Sequence, residues 1–126
     1  MHPNEKVVRD MFDAWSKLDA GLIVSLFADD GIWHNMMVDP IQGHDALRPA
    51  VESLVSVWTL NQVEVTTMLI EGDTVATERI DRIDIGDESV IVSVAGFFVI
   101  DGGKVKIWRD YFDLRIIEQG LNQSLL

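Results

Sequence analysis

The chain has 126 residues, 48% of them apolar, enough for one compact core and too many for a disordered chain. Ten Lys and Arg stand against 21 Asp and Glu, a net charge of −11, which disfavours phosphate backbones and anionic lipid surfaces. There is no cysteine, which excludes disulfides, thiol catalysis and thiolate-bound metal or iron–sulfur sites. One domain over positions 1–126 is expected, with neither nucleic acid nor membrane as partner. No apolar run at the N-terminus is long enough for export or spanning, so a cytoplasmic protein is expected.

Asn4 is positioned to cap a first helix. Val7, Val8, Met11, Phe12, Trp15 and Leu18 fall on one face of it, with Lys6, Arg9, Asp10 and Asp13 opposite. Asp19 caps a short second helix carrying Leu22, Ile23, Leu26 and Phe27, and Asp29-Asp30-Gly31 reads as its stop. Positions 31–37 read as a short strand, with Gly31, Trp33, Asn35 and Met37 on one face. Asp39-Pro40 breaks it. A third helix is predicted from about Asp45 to Val57, with Ala46, Leu47, Ala50, Leu54 and Val57 as its buried stripe and Pro49 in its first turn.

From Leu60 onward the apolar period switches to two. Four strands are predicted at roughly 60–70, 74–85, 89–100 and 104–114, joined by turns at Gly72-Asp73, Gly86-Asp87 and Asp101-Gly102-Gly103. A last short helix is expected around 116–121. Helices grouped first and a four-strand meander last imply an α+β domain, with helices on one face of a curved sheet.

Three charged residues fall in the wrong phase for a strand's outer face. In the second long strand, Val75, Thr77, Arg79, Asp81, Ile83 and Ile85 share a side, and its apolar members argue that the side packs inward. In the last strand, Asp110 shares a side with Trp108, Phe112 and Leu114. A buried carboxylate must be paired or must face a cavity. An arginine between two carboxylates would hold their geometry. Environments that separate their pKa values would make one a base and the other an acid. Periodicity alone also allows a structural salt bridge or a solvated sheet face, and Trp33, Trp108 and Phe112 also read as core. His34 and His44 have no ligand spacing around them, and no pattern points to a metal.

The segments Trp33-His34-Asn35-Met36, Thr77-Glu78-Arg79-Ile80-Asp81 and Trp108 to Arg115 resemble the limonene-1,2-epoxide hydrolase family. So does the order of elements, which is that of the cone-shaped α+β fold shared with nuclear transport factor 2, ketosteroid isomerase and the SnoaL-like polyketide cyclases. The resemblance implies a curved mixed sheet with the N-terminal helices on its concave face. It implies one-step addition of water to an epoxide, without a covalent intermediate and without cofactor or metal. By position, Asp110 would be the base on water, Arg79 the bridge, Asp81 the acid on the epoxide oxygen, and Asn35 a holder of the water. Where the family carries Tyr two residues before that Asn, this chain has Trp33. An indole N–H can donate to the water but, unlike a phenol, cannot accept. Positions matching the family's apolar pocket are Trp58, Val63, Ile83, Val92, Val94 and Phe112, for which core filling is the other reading.

The resemblance therefore implies a small hydrophobic epoxide and water as substrates and a homodimer through the open sheet face. Two other functions fit the same fold. One is an isomerase or cyclase using an Asp base, which the Arg79–Asp81–Asp110 set fits less well than paired acid and base. The other is a non-catalytic small-molecule binding domain, for which Trp33 speaks.

Overall fold

Alternating apolar and polar side chains build the long strands of the sheet. In the computed structural model these are β3 (Leu60–Glu71), β4 (Thr74–Ile85), β5 (Glu88–Asp101) and β6 (Lys104–Tyr111). Before them come α1 (Pro3–Ser16), α2 (Ala20–Ser25), β1 (Phe27–Asn35), β2 (Ile41–Gln42) and α3 (His44–Val55), and α4 (Leu114–Leu121) follows. The structure describes residues 1–121, so 122–126 of the expected domain lie outside the described residues. The six strands form one mixed sheet in the order β2-β1-β6-β5-β4-β3. Only the β1–β6 pair is parallel; β3 to β6 form the expected antiparallel meander. Gly72 and Gly86 open two of its hairpin turns at positive φ, 57° and 55°, the sense that matches strand twist.

The core lies between the concave face of this curved sheet and the helices. Val8, Met11, Phe12, Ala14 and Trp15 of α1 are buried against Val75 and Ile83 of β4, Val92, Val94 and Phe98 of β5, and Trp108 of β6. Trp108 stacks on Phe98 at a centroid distance of 4.8 Å, and Phe12 meets both rings edge-on. Gly120 of α4 lies so close to Val90 that a Cβ would come within 2.9 Å of its side chain. That approach brings Ile117 down over the end of the core. No helix among the described residues is long and apolar enough to cross a membrane.

Several local expectations are corrected. The cap of α1 is His2, whose Nδ1 accepts from the Asn4 amide at 3.0 Å; Pro3, lacking an N–H, occupies the first helical turn instead. Asp19 does cap α2, accepting from the Leu22 amide, but α2 ends at Ser25 and Phe27 already belongs to β1. Asp29-Asp30-Gly31 is therefore a strand irregularity, not a stop or turn. Phe27 pairs with Val105 and Ile32 with Ile107, so the extra β1 residues between them loop outward and expose both aspartates. β1 ends at Asn35, which leaves Met37 outside the strand.

In α3 the buried stripe is Leu47, Val51 and Leu54. Ala46 and Val57 are exposed, and Trp58, just beyond the helix, is buried instead. Pro49 sits in the second turn of α3, not the first, on its exposed side. β6 stops at Tyr111, so Phe112 and Leu114 follow the strand and do not continue its face. His44 is half-buried and its Nε2 donates to the Phe27 carbonyl at 2.9 Å.

Candidate active site

Arg79 and Asp81 lie two residues apart on the inner face of β4, and Asp110 lies on the inner face of β6. The strand between them, β5, places Gly96 opposite both Thr77 and Asp110. With no side chain there, the Arg79 guanidinium crosses over β5 to reach β6. Its Nη1 donates to Asp110 Oδ1 at 2.9 Å, and its Nη2 donates to Asp110 Oδ2. Its Nε donates to Asp81 Oδ1 at 3.0 Å, and Nη2 also reaches Asp81 Oδ2 at 3.2 Å. The guanidinium thus makes a two-sided fork. It is 4% exposed and packs 5.1 Å from the centroid of Phe12 and 5.7 Å from that of Trp108.

The two carboxylates are not equivalent. Asp110 has a further donor, the Trp108 indole Nε1 at 2.7 Å, so it accepts from three separate N–H groups against two for Asp81, and at shorter distances. Asp81 is the more open side chain, 13% exposed against 6% for Asp110. Burial pushes the Asp81 carboxyl above the ordinary carboxylate range; the Arg79 charge and hydrogen bonds work against this, and the Asp110 charge adds to it. For Arg79, burial works against the charged form, but Asp110 and then Asp81 outweigh it and raise its pKa, so it stays a cation.

These groups open into a cavity of about 60 Å³ between sheet and helices. Trp33, Asn35, Arg79, Asp81 and Asp110 all line it, and so do the expected wall residues Trp58, Val63, Ile83, Val92, Val94 and Phe112. Asn35 reaches it because the parallel β1–β6 pair puts Asn35 opposite Asp110 and Trp33 opposite Trp108. Among the described residues no group of three or more His, Asp or Glu side chains is placed to hold a metal ion.

The fold and this inward polar set coincide with a family match: a model described as a SnoaL-like domain matches residues 8–108. The chain belongs to the SnoaL-like domain family. Within it, this SnoaL-like chain is 37% identical over 65 residues to the epoxide hydrolase EphG of Mycobacterium tuberculosis, a match covering 52% of this chain and 44% of that protein. A solved structure of an M. tuberculosis LEH-like epoxide hydrolase superposes with a TM-score of 0.83 at 26% identity, covering 98% of this chain and 92% of that one. The structure of SalBIII, an epoxide hydrolase/cyclase-like enzyme in pyran ring formation in polyether salinomycin, superposes with a TM-score of 0.79, covering 90% and 92%. At 18% identity that last likeness concerns the fold alone. The resemblance drawn from the motifs around Trp33, Arg79 and Trp108 agrees with these relatives.

In this SnoaL-like cavity the sequence reading missed Phe12, Trp15, Asn61, Trp108 and Ile117. Trp108 could have been found, since it shares the inner face of β6 with Asp110 and carries a donor. Asn61 carried a weaker signal: in the predicted strand it shares a face with Val63, but an uncharged amide at a strand's start does not by itself mark a buried position. Its Oδ1 and the Nε1 atoms of Trp15, Trp33 and Trp58 are buried without a hydrogen-bond partner within the protein.

Proposed function

We propose that this protein is a hydrolase that adds water to a small, largely apolar epoxide and yields a vicinal diol in one step. The observation that carries the reading is the buried fork of Arg79 between Asp81 and Asp110 at the edge of an apolar cavity. The likeness to proteins named epoxide hydrolases supports it.

In this scheme Asp110 takes a proton from a water that Asn35 and the Trp33 N–H orient. The water oxygen forms a bond to an epoxide carbon as the C–O bond breaks. Asp81 gives its proton to the departing oxygen. At the end Asp110 is protonated and Asp81 ionised, so one proton must return from the base to the acid. Arg79 holds both carboxyls in place and compensates the single negative charge that moves from one to the other. The raised pKa of Asp81 suits the acid, and the three N–H donors on Asp110 suit an acceptor-only carboxylate. No cofactor has a part in the reaction as written.

Trp15, Trp33, Trp58 and Trp108 fill much of the pocket. A cavity of about 60 Å³ is far below the space for a drug-sized ligand. The substrate is accordingly small. The test is a hydrolysis screen over a panel of small cyclic, alkyl and aryl epoxides in ¹⁸O-labelled water. Labelled diol is expected from the first turnover. Unlabelled diol in that first cycle would mean an Asp ester intermediate, and no turnover on any member would leave the fold with a binding role.

A further inference from the structure

The hydrolase reading employs Arg79, Asp81, Asp110, Asn35 and Trp33. It leaves unused three polar groups of the same cavity, namely Asn61 Oδ1 and the indole Nε1 of Trp15 and of Trp58. Asn61 is 6% exposed. A buried amide oxygen with no protein partner is destabilising, and a leucine of similar size would fill the same space without that cost. Packing therefore does not account for an asparagine here.

We propose that Asn61, with the indoles of Trp15 and Trp58, forms a second polar pole of the pocket that binds a hydroxyl group carried by the epoxide. This rests on the hydrolase reading. The donor and acceptor inventory selects the ligand group. The pole offers Asn61 Oδ1 as acceptor and, as donors, the Asn61 Nδ2 hydrogens and two indole N–H groups; a hydroxyl, with one hydrogen to give and two lone pairs to receive, can use both kinds. An ammonium would bring three hydrogens and no lone pair into apolar walls that already hold the Arg79 cation. A ketone or ether would leave Asn61 Oδ1 unsatisfied.

The register sets the distance between the poles. Val63 is paired with Asp81 and Asn61 with Ile83, so Asn61 is the diagonal neighbour of Asp81 on the inner face, a pairing that sets the Cα atoms about 7–8 Å apart. An oxirane at Asp81 and a hydroxyl at Asn61 are then separated by a chain of about three carbons. The hydroxyl is held on the β3 side of the site, away from Asp110 on β6, so it does not compete with the attacking water.

The experiment compares 4,5-epoxypentan-1-ol with 1,2-epoxypentane, which lacks only the hydroxyl. For the wild-type protein kcat/KM should be about tenfold or more higher for the hydroxylated substrate. Its product should be the open triol. In Asn61→Leu that preference should collapse to near unity. Equal kcat/KM for the two substrates, or an Asn61→Leu variant that keeps the preference, would overturn the second pole while leaving the hydrolase reading intact. A cyclic ether as product would overturn it too, because the hydroxyl would then sit at the base. If neither epoxide is turned over, the hydrolase reading is decided by the wider epoxide panel, and the pole is judged by tryptophan fluorescence titration with the same two compounds. About tenfold tighter binding of the hydroxylated one would then uphold the pole, and equal affinities would overturn it.

Discussion

Gly96 is the residue whose substitution most directly tests the bridge. It sits in the middle strand of the site, paired with Thr77 on one side and Asp110 on the other. A Cβ added there would collide with Arg79 Nη1, lie 2.5 Å from Asp110 Oδ1 and lie 3.2 Å from Thr77 Oγ1. Comfortable contact is about 3.5 Å, so the Arg79–Asp110 pair must retreat by roughly 1 Å. A misplacement of that size costs on the order of 10²-fold in rate. That corresponds to about 2.7 kcal/mol in the barrier. Loss of a charge-assisted hydrogen bond would lower stability by about 1.5–3 kcal/mol. The sheet itself would gain from Gly96→Ala by about 0.5–1 kcal/mol through backbone entropy, so a net loss isolates the clash. The assay is kcat/KM on the best epoxide of the panel, with thermal unfolding of the same samples. Folded Gly96→Ala protein with wild-type kcat/KM would refute the claim that the fork must be held in this geometry.

Arg79→Lys keeps the charge but loses the fork, so activity should fall by about two decades or more; wild-type kcat would reduce Arg79 to an electrostatic role. Trp33→Phe removes an indole donor and should cost about 1–3 kcal/mol of transition-state stabilisation, one to two decades in rate. Trp33→Tyr should keep or raise activity on small epoxides, and unchanged rates in Trp33→Phe would make the indole pocket wall only. The pH profile follows from Asp81: its pKa is raised, and the acid must carry its proton. So kcat/KM should fall as pH rises through that raised value, and a rate that is flat or rising there would sink the acid assignment. The same sign governs stability. The native carboxyl holds its proton above the ordinary 3.8, so its contribution is full below 3.8 and is lost as pH rises through the folded-state pKa.

Much of the site was legible because strands have a period of two. Arg79, Asp81 and Asp110 announced themselves as charges in register with Val75, Ile83 and Trp108, and inward phase needs no knowledge of neighbours. The meander from Leu60 to Tyr111 and its glycine turns were legible for the same local reason. The first part of the Phe27–Asn35 strand was hidden, because its Asp29-Asp30-Gly31 irregularity mimics a helix stop, and only the part from position 31 read as strand. What only the tertiary structure decided is which faces meet. The parallel pairing of β1 with β6 joins residues more than seventy positions apart and sets Asn35 opposite Asp110. β5 brings Gly96 under the guanidinium, and β3 places Asn61 diagonally from Asp81. A glycine and an uncharged asparagine do not by themselves mark a buried position. Their roles come from the atoms across the sheet, so they exist only once long-range pairing has fixed the register.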